Sequence, residues 1–123
     1  MSKPTVVIID DDRSFVEAVS ILLERRGYRA VGAFNGREGL ARLQNNHVDL
    51  GIIDVRLPDI SGIEIAKEIR RTGAAPPIIL ISSDHRSEVS QACREAGARL
   101  FLPKPIGPAE LLNAISDILG SGT

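Results

Sequence analysis

Residues 48–62 read VDLGIIDVRLPDISG. The uninterrupted apolar run 50–53 is expected of a strand buried on both faces. Asp54 ends it, and a loop with Leu57-Pro58 and Ser61-Gly62 follows at once. Open α/β sheets bind ligands just outside the carboxyl ends of their strands. A carboxylate in that position makes Asp54 the first candidate for chemistry.

Downstream, Ile63, Ala66 and Ile69 recur at helical spacing and stop before Gly73 and Pro76-Pro77. Residues 78–81 form a fourth, wholly apolar strand, closed by Ser82, Ser83 and Asp84. A helix with Val89, Ala92, Cys93 and Ala96 follows, with Gly97 where a C′ glycine belongs. The fifth strand, 100–102, runs into Pro103-Lys104-Pro105, where prolines stop the ladder. Pro108 suits the first turn of a last helix bearing Leu111, Leu112, Ile115, Ile118 and Leu119.

Upstream, the β-branched run 6–9 ends in Asp10, Asp11 and Asp12. A helix follows with Phe15, Val19, Leu22 and Leu23 on one face, Ser14 and Glu17 in capping-box positions, Asp11 or Asp12 as an alternative N-cap, and Gly27 after its cationic last turn. Residues 28–34 read as the second strand. Asn35-Gly36 then turns the chain, with Asn35 and Glu38 spaced to cap a helix that carries Leu40, Ala41 and Leu43 and frays near Asn45-Asn46. Five strand–helix pairs in strict alternation predict a parallel sheet covered by helices on both faces, because every parallel connection needs a crossover.

With 123 residues and 43% apolar composition, the chain is one domain long and able to bury a core. Fifteen basic and sixteen acidic residues leave a net charge of -1. That balance supplies no basic field to recruit DNA or an anionic membrane. The apolar runs are strand-sized, so membrane insertion is not expected, and the amino terminus lacks a signal-like apolar segment; a cytoplasmic location is the expectation. Cys93 is the single cysteine, which excludes an intrachain disulfide, and no Cys/His spacing resembles a zinc site.

A parallel sheet presents all its carboxyl ends along one edge. That edge gathers Asp10 and Asp11, Asp54, Ser82 and Ser83, and Lys104. Crowded carboxylates raise one another's pKa unless they share a cation, and hard oxygen ligands point to Mg²⁺ or Mn²⁺. A carboxylate, a divalent cation, a lysine and a hydroxyl are the parts needed to move a phosphoryl group onto an aspartate.

The whole set resembles the receiver domain of two-component response regulators, of the single-domain, chemotaxis-regulator-like kind. The resemblance rests on the strand ending in Asp10-Asp11, on Asp54 with Pro58 and Gly62 at the family's spacing, on Ser82, and on Lys104-Pro105 after the fifth strand. It implies a flavodoxin-like, doubly wound five-stranded parallel sheet of order 2-1-3-4-5 with five flanking helices. The domain would span residues 4–120, with 121–123 a frayed tail. It also implies transfer of a phosphoryl group from a histidine kinase, or a histidine phosphotransfer protein, to Asp54. Asp11, Asp54 and the main-chain oxygen of Arg56 would bind the metal directly, and Asp10 through water. Lys104 would contact the phosphoryl group, Ser82 would move inward to bond it, and Phe101 would swing from exposed to buried as the switch aromatic. The Lys104–Pro105 bond is expected to be cis. A downstream protein would dock on the face formed by helix 4, strand 5 and helix 5, about residues 87–119. Such a chain catalyses only its own phosphorylation and dephosphorylation and is not otherwise an enzyme.

Arg56 lies two residues beyond Asp54, and Asp84 two beyond Ser82. Their opposite charges are expected to pair across the mouth of the site and lengthen the life of a phosphoaspartate. His47 falls at the opposite edge of the sheet, while His85 falls close to the site. Two other readings share part of the pattern. In a haloacid-dehalogenase-like phosphatase, Asp10-x-Asp12 would supply the nucleophile, Asp10; yet Ser14 stands where Thr or Val is expected, and Asp54 would have no role. An interaction-only receiver that is never phosphorylated would be expected to lack a catalytic position, and none is missing.

Overall fold

The computed structural model describes residues 3–45, 47–73 and 75–120. The tail at 121–123 and Asn46, at the expected fraying of the second helix, lie outside them. The elements alternate in the order β1 (Thr5–Ile9), α1 (Arg13–Arg25), β2 (Arg29–Ala33), α2 (Gly36–Asn45), β3 (Leu50–Asp54), α3 (Gly62–Arg71), β4 (Ile78–Ser82), α4 (Ser87–Glu95), β5 (Leu100–Pro103) and α5 (Pro108–Leu119). All pairings are parallel, in the order β2-β1-β3-β4-β5. This is the expected doubly wound, flavodoxin-like sheet.

Because side chains alternate across a strand, each central strand feeds two cores. Val6 and Ile8, Leu50 and Ile52, and Ile79 and Ile81 pack with Val16, Val19 and Leu23 of α1 and with Leu111, Ala114 and Ile115 of α5. Val7 and Ile9, Ile53, and Ile78 and Leu80 pack with Leu43 of α2, Ile65, Ala66 and Ile69 of α3, Cys93 of α4 and Ala96 at its C-cap. Burial on both faces explains why these strands read as continuous apolar runs. Burying each such side chain contributes about 1.5–3 kcal/mol.

Of the N-cap candidates for α1, Asp12 is the one used. The capping box at Ser14 and Glu17 is not used: α1 begins at Arg13, and extended Asp12 caps it by accepting the Phe15 amide. Ser14 is already inside the first turn, beyond the position from which a side chain can cap. For α2, Asn35 accepts the Glu38 amide and Glu38 reaches back to the Phe34 amide, as the spacing predicts. The same helix start is also held from the β3–α3 loop, where the Asp59 carboxylate accepts the amides of Gly36 and Arg37 at 2.7 and 2.9 Å. Gly97, at φ +92°, ends α4 in the left-handed region that favours glycine.

Candidate functional site

The strand register determines which residues meet. Ile9 pairs with Ile53, so Asp10 and Asp54 leave the sheet side by side, two residues beyond Ile8 and Ile52 of the α1–α5 core. Ser82 ends β4 opposite Pro103 of β5, and the Lys104 amide donates to the Ser82 carbonyl at 2.8 Å. Lys104 then reaches back over the edge. Its Nζ donates to Asp10 Oδ2 at 2.7 Å and to Asp54 Oδ2 at 3.2 Å, and stands 5.0 Å from the centre of the Phe15 ring. The Lys104–Pro105 peptide is cis.

Asp10 is fully buried, and its other oxygen accepts the Asp12 amide at 3.0 Å. Asp54 is 7% exposed, and its Oδ1 accepts the Arg56 amide at 3.1 Å. Gly62 presses on the main chain behind it: a Cβ there would lie 2.3 Å from the Asp54 carbonyl oxygen. The Gly62 amide also donates to Val55 O at 2.9 Å, closing the loop that carries Arg56 and Pro58. Asp11 is exposed beside them, and oxygens of Asp10, Asp11 and Asp54 lie within 4.8 Å of one another.

Charge is unbalanced here. Burial, and next the Asp10 carboxylate, push the Asp54 carboxyl above its ordinary range, outweighing the Arg56 amide and Lys104. Burial works against the Lys104 ammonium, but the hydrogen bond to Asp10 and the charges of both aspartates prevail and raise its pKa. One ammonium facing this many carboxylates leaves the cluster short of positive charge. Its oxygen-only donors, one of them exposed, fit a hard divalent cation.

Ser82 is buried, and its Oγ accepts the Asp84 amide at 2.9 Å. Ser83, by contrast, is exposed and lines a cavity of about 420 Å³ with Asp12, Phe15, Lys104, Pro105 and Ile106. Phe101 is half-buried and packs against the α2–α4 core. His47 has a side chain 91% exposed and lies at the amino-terminal edge, 3.5 Å from Asp49.

The Arg56–Asp84 pair is looser than its charges suggest. Arg56 Nη2 stands 3.8 Å from Asp84 Oδ2, beyond hydrogen-bond range, while Arg86 donates to that carboxylate at 2.9 and 2.7 Å. Hydrogen bonds from the Arg86 side chain and then its amide hold the Asp84 carboxyl down to about 2. Sequence reasoning missed Arg86; its signal was the two-residue spacing from Asp84, short enough for a local side-chain pair. It also missed the bond between His85 Nε2 and the Lys104 carbonyl, at 2.7 Å. A carbonyl only accepts, so Nε2 carries the proton, and the β4–α4 loop is tied to the β5–α5 loop.

Comparison with known proteins places the chain in a family. The family model for the response regulator receiver domain matches residues 6–116. The chain is 31% identical to the alkaline phosphatase synthesis transcriptional regulatory protein PhoP of Bacillus subtilis, over 93% of this chain and 48% of that protein. It spans about half the length of the curated relatives at the top of the comparison. A CheY-like response regulator receiver domain protein from Methanospirillum hungatei superposes with a TM-score of 0.91 at 30% identity, covering 96% of this chain and 94% of that one. Chemotaxis protein CheY4 of Vibrio cholerae superposes with a TM-score of 0.89 at 32% identity, covering 96% and 100%.

Proposed function

The chain belongs to the response regulator receiver family, and from that membership and the strand-end geometry we propose that it accepts a phosphoryl group on Asp54 from the phosphohistidine of a histidine kinase or a histidine phosphotransfer protein. The observation that carries this reading is Lys104 Nζ held between Asp10 and Asp54. In the transfer, an Asp54 carboxylate oxygen forms a bond to phosphorus while the P–N bond to the donor imidazole breaks. The electron pair leaves with the ring nitrogen, which takes up a proton. Lys104 faces the charge that spreads over the phosphoryl oxygens, and its bond to Asp10 holds it there. The Ser82 hydroxyl exchanges the Asp84 amide for a phosphoryl oxygen, and Phe101 turns inward as that loop moves. Asp11, Asp54 and the main-chain oxygen of Arg56, with Asp10 through water, would hold a Mg²⁺ or Mn²⁺, which would supply further positive charge against the same oxygens.

The phosphatase alternative needs Asp10 as nucleophile. Full burial and the engagement of both its oxygens, one by Lys104 and one by the Asp12 amide, count against it. Residues 4–120 act as the receiver unit, presenting the α4–β5–α5 face to a downstream protein. Among the described residues no helix is long and apolar enough to cross a membrane, and a cytoplasmic setting suits a kinase-facing receiver. The intact mass after incubation with acetyl phosphate tests the proposal. We expect one phosphoryl group to be added with Mg²⁺ present and none with chelator or in Asp54→Ala. Equal labelling of Asp54→Ala would overturn it.

A further inference from the structure

Lys104 is anchored at both ends of its main chain by one short stretch, residues 82–85. Its amide donates to the Ser82 carbonyl at 2.8 Å, and its carbonyl accepts from His85 Nε2 at 2.7 Å. The ladder has ended by then, since β5 closes at Pro103, and neither Pro103 nor Pro105 has an N–H to offer. Among the described residues, His85 is the donor that meets this carbonyl. The histidine is exposed, yet its main chain is held on both sides. Asp84 and Arg86 are forked to each other, Nε to Oδ1 at 2.9 Å and Nη2 to Oδ2 at 2.7 Å, and the Asp84 amide donates to the hydroxyl of buried Ser82 at 2.9 Å. These bonds keep the loop at 82–86 on one path from which the ring reaches across.

We propose that His85 is a positioning residue that fixes the Lys104 main chain and thereby aims its ammonium between Asp10 and Asp54. The inference rests on the reading of Asp54 as phosphoacceptor. A flexible four-carbon stem separates Nζ from the main chain, so a small turn of the peptide is magnified at the ammonium. With the His85 bond gone, the Ser82 bond is the one main-chain anchor left to Lys104 among the described residues, and the peptide pivots about it. The contact at risk is the longer one, 3.2 Å to Asp54 Oδ2, because the 2.7 Å bond to fully buried Asp10 is the stronger. In uptake from acetyl phosphate, an Asp54 oxygen bonds to phosphorus as the P–O bond to acetate breaks, and the electron pair leaves on the acetate. Lys104 must face the phosphoryl oxygens during that step, and a misaimed donor costs rate even when it stays charged.

The test is the rate at which acetyl phosphate labels the protein in Mg²⁺, followed by intact mass. His85→Ala is expected to slow labelling by ~3–10-fold, the scale of one net hydrogen bond expressed in the transition state. His85→Gln, whose side-chain amide can donate to the same carbonyl, stays near the wild-type rate. In a Lys104→Ala background His85→Ala has no further effect, because no ammonium is left to aim. A bond that served stability alone would lower the melting temperature without producing that dependence. An unchanged rate in His85→Ala, slowing that His85→Gln does not restore, or equal slowing without the lysine would overturn the inference. His85 is exposed, so both variants are expected to fold, and a thermal melt verifies it. If the wild type takes no phosphoryl group on Asp54, the phosphoacceptor reading fails and this inference with it. If the wild type loads and His85→Ala loads equally fast, only this inference fails.

Discussion

Lys104 faces two carboxylates, at 2.7 and 3.2 Å, and cannot neutralise both. Asp54 bears the excess, so its folded pKa lies above the ordinary 3.8. Between those two values the native state holds more protons than the unfolded chain, and stability falls as pH rises through the window. Asp54→Asn lacks this penalty. Without divalent cations the variant is expected to melt above the wild type near pH ~7, and the margin should close near pH ~3, where Asp54 is protonated in both states. Melting curves at the two pH values check the sign. Lys104→Ala is expected to slow phosphoryl uptake from acetyl phosphate by roughly 100-fold, the usual cost of removing one donor aimed at developing charge; rapid sampling of labelled protein measures it. Asp10, Asp54 and Lys104 were legible in the sequence because each ends or follows an apolar strand, and strand ends share one edge. Arg86 was not, because its partner is chosen by the path of a polar loop that periodicity does not describe.

The elements hold these side chains through a few tight contacts in the loops. Gly62 backs onto the Asp54 carbonyl, and an added Cβ at 2.3 Å has no flexible side chain to displace. Gly62→Ala is expected to cost ~1–3 kcal/mol, the range for overpacking, and to slow uptake on Asp54 by shifting its main chain. Denaturant unfolding and the labelling rate read the two effects separately. The β3–α3 loop is further fastened by Asp59 on the amides of α2. Burial of Asp59 works against its charge, but the amides of Arg37, Gly36 and Ile60 prevail and hold its carboxyl below the ordinary range. The strands and helices themselves were readable from apolar spacing, to within a residue or two at their ends. The start of α1 was ambiguous because Ser14 with Glu17 and Asp12 with the Phe15 amide both satisfy a three-residue spacing. Only the extended backbone at Asp12 selects between them.

In the whole molecule one sheet carries two cores, and the site sits where strands from both come to an end. A cavity on either side therefore loosens the same edge. Ile8→Ala on the α1–α5 side and Ile53→Ala on the α2–α4 side are each expected to cost ~2–5 kcal/mol in a single unfolding transition, measured with denaturant. The strand order follows from parallel crossovers only up to a choice among several topologies, and it was the resemblance to receiver domains that specified 2-1-3-4-5 before the pairings displayed it. The central claim is that this edge makes Asp54 a covalent phosphoacceptor. The most direct measurement is to phosphorylate the protein with acetyl phosphate and Mg²⁺, trap the acyl phosphate by borohydride reduction, and map the altered residue by peptide mass spectrometry. The account predicts reduction at Asp54 alone; reduction at Asp10, or at no aspartate, would contradict it.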